Sequence, residues 1–145
     1  MNEIVRRVEQ ARQLWCAGDI PGYLTLYDES VRVHGFSRVP MDKAGVAEFY
    51  RYVCESLGAE GKPSPELQFH EVMTDGDLYC CRYSMRGIHR GTFLEVPATH
   101  KPYDTGGMHI MRFAGDKVVE RWSSIDMLGF LVQIGKLPPS VHYPS

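Results

Sequence analysis

The chain of 145 residues has no apolar run near the roughly 20 residues that a membrane-spanning helix needs. Its opening, MNEIVRRVEQ, lacks the apolar stretch of a signal peptide. Neither sign of charge dominates. The formal net charge is −2, which argues against nucleic acid or a membrane surface as partner. Paired cysteine motifs are missing too. Cys16, Cys54, Cys80 and Cys81 show no C-x-x-C spacing, and the adjacent Cys80 and Cys81 would point to opposite faces of a strand. The expectation is four buried thiols in a reducing, cytoplasmic setting. His89 and His100 lack a zinc spacing, so no metal is expected. A glycine-rich phosphate loop, a nucleophile elbow, internal repeats and low-complexity segments are all absent.

What remains is a composition of 43% apolar and 23% charged residues. That balance, at this length, predicts a single domain over 1–145 with a core of its own.

The first half reads as helical. Ile4, Val5, Val8, Ala11, Leu14 and Trp15 repeat at helical spacing, predicting a helix over 2–15. Gly18-Asp19 ends it, and Asp19 with Pro21 starts a second, short helix bearing Tyr23, Leu24, Leu26 and Tyr27. Val31 to His34 alternates as a short strand, followed by a loop over 35–40. Asp42 caps a longer helix to about Leu57, with Val46, Phe49, Tyr50, Val53 and Leu57 on one side.

The second half reads as strands. Glu66–Met73 and Leu78–Arg86 are joined through Asp75-Gly76. The segment 89–105 is the longest irregular stretch. Met108–Phe113 and Lys117–Ile125 form a hairpin about Gly115-Asp116, since glycine accepts positive φ without cost. A two-residue turn there sets Ala114 against Lys117, Phe113 against Val118 and His109 against Trp122. Strict alternation then gathers His109, Met111, Phe113, Val118, Glu120, Trp122, Ser124 and Asp126 on one face. The opposite face, with Met108, Ile110, Val119 and Ile125, is apolar enough to need cover. Segregated helices and strands predict an α+β fold. A cone-shaped, curved antiparallel sheet wrapped around the N-terminal helices would enclose a cavity, and pockets favour such places.

The segments RYSMRGIHRGTFLEVPATHKP, GMHIMRF and DKVVERWSSIDMLGFLVQIG resemble the SnoaL-like polyketide cyclases of the nuclear transport factor 2-like superfamily. The most specific part is W-x-x-x-D-x-x-G-x-x-x-Q-x-G, here Trp122, Asp126, Gly129, Gln133 and Gly135. The resemblance covers most of the chain. It implies a homodimer and an enzyme that needs neither metal nor cofactor, closing a ring in a small-molecule substrate by an aldol reaction. It also implies that Asp126 is the acid/base. One departure stands out: where the family loop reads G-x-P-x-T-G, this chain has Glu95 and His100 for the two glycines, which predicts a different loop path.

Candidate site residues follow. Asp126 is read either as a helix N-cap or as a catalytic acid/base. His109 is read either as a polariser of a developing enolate or as a core histidine. Trp15, Phe49 and Trp122 are core aromatics that could also touch substrate. His34 ends a strand and could face the cavity. Arg82 lies mid-strand, with its face undecided. The leading expectation is proton abstraction and aldol-type cyclisation or isomerisation of a small apolar carbonyl compound. Two alternatives stand beside it: epoxide or lactone hydrolysis, with Arg82 and Asp126 as the pair, and a non-catalytic small-molecule-binding domain.

Overall fold

Each helix starts where a short polar side chain turns back to accept a backbone N–H. Asn2 accepts from Ile4, Asp19 from Gly22, Asp42 from Gly45 and Asp126 from Gly129. Each cap satisfies one of the donors that a first turn leaves unpaired. A computed structural model describes residues 2–142. It contains α1 (Glu3–Cys16), α2 (Ile20–Leu24), β1 (Tyr27–His34), α3 (Lys43–Leu57), β2 (Glu66–Asp75), β3 (Leu78–Ile88), β4 (Pro102–Ala114), β5 (Lys117–Ile125) and α4 (Met127–Gln133), then a short 3-10 turn, Pro139–Val141.

The architecture is the expected α+β one, with a curved, unclosed sheet in the order β1-β5-β4-β3-β2. Three neighbouring pairs are antiparallel. β1 departs from the all-antiparallel expectation by joining β5 in parallel at the edge. α1 packs on β2, α3 on β1 and α4 on β4. Val8, Ala11, Trp15, Val46, Tyr50 and Val53 from the helices meet Val31, Val33, Tyr79, Cys81, Met111, Phe113 and Val118 from the strands. Burial of these apolar side chains is the main force holding the layers together.

Several sequence expectations are displaced. Tyr27 begins β1 instead of closing α2. Asp75 pairs with Leu78, so the β2–β3 turn is Gly76-Asp77, one residue later than read. β4 starts at Pro102, shortening the irregular segment to 89–101. Cys54 and Cys81 are buried but Cys16 and Cys80 are half-buried, and all four are free.

The largest displacement is in the β4–β5 hairpin. Ala114 pairs with Lys117 and Phe113 with Val118, as expected, but Arg112 then pairs with Glu120. Val119 is the extra residue of a β-bulge. Because side chains alternate with period two, one inserted residue exchanges the two faces of everything beyond it. His109 therefore faces Ser123, and Trp122 pairs with Ile110. Arg121 turns inward and is only 5% exposed, while Glu120 and Trp122 turn outward. Ile125, expected on the covered outer face, turns in to line the cavity.

The segment 89–101 is pinned to α3. Arg90 donates to the carbonyls of Cys54, Glu55, Ala59 and Lys62, and the Tyr52 hydroxyl accepts from the Leu94 N–H at 2.7 Å. Glu95 and His100 have φ of +67° and +56°. Both residues thus adopt the left-handed backbone that glycines would favour, at the cost that a Cβ brings there.

Candidate functional site

The concave side of the sheet, closed by the helices, holds an apolar cavity. Its volume is about 80 Å³, well below the roughly 300–1,000 Å³ of pockets for drug-sized ligands. A single ring or a short chain suits that space. Trp15 from α1, Phe49 from α3, Tyr83 from β3, Phe93 from the pinned loop, and Ile125 and Met127 from the β5–α4 junction form much of its wall.

One charge interrupts this apolar wall. Arg121 comes from the inner face of β5, carried there by the bulge. Its Nε donates to Ser123 Oγ at 2.8 Å. Its Nη1 donates to the hydroxyls of Tyr27 at 2.8 Å, Tyr23 at 3.0 Å and Tyr50 at 3.2 Å. Its Nη2 lies 3.4 Å from His109 Nδ1, and the guanidinium carbon stands 5.7 Å from the centre of the Phe36 ring. Among the described residues no carboxylate forms an ion pair with Arg121.

The surrounding groups are neutral. Burial pushes the hydroxyls of Tyr23, Tyr27 and Tyr50 well up, and the charge of Arg121 opposes that without reversing it. His109 is pushed well below the usual imidazole range, first by burial and second by Arg121. It is 2% exposed and packs among Phe69, Tyr79 and Tyr83. Arginine keeps its proton, so Nδ1 accepts from the guanidinium and the His109 proton is assigned to Nε2. Among the described residues that N–H has no acceptor, and neither does the buried indole N–H of Trp15. Among the described residues the cluster carries one positive charge, surplus donors and no compensating acid. Isolated buried charge is costly, so such an arrangement is retained only where something offsets it.

The expected site residues part company here. Trp15 and Phe49 line the cavity. His109 stands behind Arg121 and does not line the cavity, so it can position the guanidinium but not touch a ligand there. Trp122, His34 and Arg82 lie on the outer side of the sheet, contrary to a substrate-binding position. His34 stacks on Trp122 with ring centres 5.5 Å apart and bonds Glu120 at 2.7 Å, and Arg112 covers Trp122. Arg82 is exposed and clamps the Glu71 carboxylate with its Nε and Nη2. The bulge explains Trp122. Parallel pairing of His34 with Trp122 carries His34 to the same side.

Asp126 caps α4: Oδ1 accepts from Gly129 N at 2.9 Å. A Cβ on Gly129 would collide with that carboxylate. Gln133 closes on the backbone N–H and carbonyl of Asp104, and Gly135, at φ +87°, follows the helix end. The most specific sequence motif is thus largely a device for fastening α4 to β4. The Asp126 side chain is not part of the cavity wall, but Ile125 and Met127 on either side are. Thr105 also lines the cavity and donates to the Asp126 carbonyl at 3.2 Å.

The sequence reading missed Arg121, Phe36 and the tyrosines. Tyr23, Tyr27 and Tyr50 fall on stripes that read as plain core. Their buried hydroxyls, each needing a partner, were the available signal. No group of three or more His, Cys, Asp or Glu able to hold a metal occurs among the described residues.

Solved structures share this fold. AclR from Streptomyces galilaeus is 22% identical over 93% of this chain and 99% of its own, with a TM-score of 0.81. TsrD from Streptomyces laurentii is 18% identical over 93% and 96%, also at 0.81. A SnoaL-like polyketide cyclase from Agrobacterium tumefaciens is 14% identical over 93% and 100%, at 0.75. No curated protein matches the sequence significantly. The family model for SnoaL-like polyketide cyclase spans residues 5–134, nearly the whole chain, and with the shared fold this means that the protein belongs to the SnoaL-like polyketide cyclase family.

Proposed function

We propose that the protein is a cyclase-type enzyme acting on a small, largely apolar carbonyl compound. The observation that supports this reading most is Arg121, a buried guanidinium in the wall of an apolar cavity with no acid partner among the described residues. When a base removes a proton from the carbon beside a carbonyl, the C–H electron pair moves into the carbonyl and its oxygen becomes an enolate. A fixed cation in a water-poor site stabilises that oxygen more than it does the neutral carbonyl. The enolate carbon then attacks a second carbonyl, closing a ring, or takes a proton back at another carbon, giving an isomer.

The base in this reading is Asp126. The cavity wall holds no carboxylate, and Asp126 sits between two residues that line it. Its Oδ1 is engaged at the cap, leaving Oδ2 for a substrate at the rim. His109 holds Arg121 in place. The hydrolase alternative loses its pair, because Arg82 is bound to Glu71 on the outer face. The binding-domain alternative keeps one observation in its favour, the wall without a carboxylate. Hydrogen–deuterium exchange beside the carbonyl of 2-indanone, followed by NMR, separates these two. Acceleration by the protein, lost in Arg121→Met, is expected. Exchange at the buffer rate with normal ketone binding would leave the binding domain.

The working unit in this reading is a homodimer. Met73, Met108 and Ile110 are exposed large apolar side chains on β2 and β4, a surface that a second copy would cover. Light scattering at twice 16.5 kDa is the expected result; a monomer at high concentration would refute it.

A further inference from the structure

We propose that the cavity takes its ligand as a compact apolar monoanion, with the anion's oxygens received by Arg121. This deepens the preceding reading and rests on it for the cavity being a substrate site. A neutral ketone offers Arg121 only a partial charge before reaction. An anion supplies the counter-charge that the protein withholds.

Three independent features support this. The first is proton counting. Arginine has five N–H donors. One goes to Ser123, two are shared among three tyrosine hydroxyls, and one meets His109. The other N–H of Nη2 forms no hydrogen bond of ordinary geometry among the described residues, with the Tyr83 hydroxyl of the cavity wall close by. The second is the hydroxyl chain. Tyr23 and Tyr27 bond at 3.4 Å and Tyr27 and Tyr50 at 2.7 Å, so two bonds use two of three protons. At least one hydroxyl proton is left over. The third is Trp15, which lines the same cavity and whose indole N–H has no partner among the described residues. A surplus of donors around a cation selects a group that only accepts, and carboxylates and enolates are such groups.

The apolar remainder sets the rest of the ligand. Phe36, Phe49, Val53, Leu57, Met85 and Phe130 surround the space, and none offers a charge. The occupant is therefore charged at one end and apolar elsewhere. Its anion comes from either of two sources: a carboxylate, or an acidic carbonyl compound already ionised to its enolate. The second would place the substrate one step along the proposed reaction before any base acts.

The test is binding by calorimetry to the full chain, using two matched pairs. Benzoate is compared with benzamide, and cyclohexane-1,3-dione, an enolate at neutral pH, with cyclohexanone. We expect at least one anion to bind about 10- to 100-fold tighter than its neutral partner, the span of charge-assisted hydrogen bonds. Preference for benzoate alone identifies the carboxylate source, and preference for the dione identifies the enolate source. Arg121→Met should erase the preference while still binding the neutral partner, which also shows that it is folded. Arg121→Lys keeps the charge and should retain a weaker preference. Trp15→Phe keeps the ring and should weaken anion binding a few-fold. Equal affinity within both pairs, no binding of either anion, or a preference that survives in Arg121→Met would overturn the proposal. Anion preference without any proton exchange on a bound ketone would refute the enzyme reading alone.

Discussion

Two arginines on the strands that flank β4 have opposite surroundings. Arg82 on β3 faces outward, is exposed, and holds Glu71 in a two-pronged ion pair. Arg121 on β5 faces inward, is buried, and holds no acid among the described residues. The exposed pair is weak, because water and salt screen it. The buried cation cannot be explained by stability, since unpaired buried charge opposes folding. The comparison teaches that pairing and burial together separate a surface residue from a candidate functional one. Residue type does not.

The largest effect expected from this contrast is on activity. Arg121→Met should lower turnover of any ketone substrate by about 10²–10³-fold, the usual loss when one oxyanion donor is removed. Arg82→Met should change it less than about twofold, since that pair lies exposed on the far side of the sheet, where water and salt screen it. Equal losses in the two variants, measured by steady-state kinetics, would break the comparison.

Asp126 gives the next effect. Asp126→Asn keeps a capping oxygen, because Asn caps about as well as Asp. It removes the proton-carrying carboxylate and should cost about 10²-fold in turnover with little change in melting temperature. Asp126→Ala should lose the cap as well, about 1 kcal/mol. Full activity in the Asn variant would reduce Asp126 to a cap.

The buried polar cluster should also make the fold acid-sensitive, through a histidine and so at higher pH than the exposed carboxylate pairs. His109 faces Arg121, Tyr79, Tyr83 and Phe69, and its folded pKa lies well below its unfolded value near 6.5. Below that unfolded value the unfolded chain binds the proton and the native one does not. The stability from neutral His109 is therefore complete above about pH 6.5 and falls as pH drops toward the lowered folded value, by up to about 1.4 kcal/mol per unit. Denaturant titrations of His109→Gln should show a flatter acid limb than those of the unmodified chain. Parallel limbs would remove His109 from the account.

The smallest effect belongs to the loop over the cavity. His100→Gly at φ +56° should stabilise by about 1 kcal/mol, the cost of left-handed backbone for a residue with a Cβ. A lower melting temperature would mean that the imidazole contributes more than the strain removes.

How much of this was legible beforehand differs between fold and site. The element order could be read because its signals are local. Asp19, Asp42 and Asp126 cap helices through atoms three residues away, and Gly115-Asp116 closes a hairpin between its own neighbours. The family motif was legible for the same reason: the carboxylate of Asp126 and the small Gly129 fit each other within one helical turn.

The cavity was not legible, for two physical reasons. The stretch Val118-Val119-Glu120-Arg121 puts an apolar residue and a charge in either register, so the pattern alone cannot show that Val119 is the bulge. A single inserted residue then decides whether Trp122 or Arg121 meets the interior. The partners of Arg121 also come from α2, β1, α3 and β4, far apart in the chain. Sequence by itself determined the caps, the hairpins, the α+β order and the family, because each depends on contacts a few residues long or on a pattern spread over the whole chain. Only the tertiary structure decided which charge is buried and what surrounds it, because burial is a property of packed layers and not of neighbours along the chain.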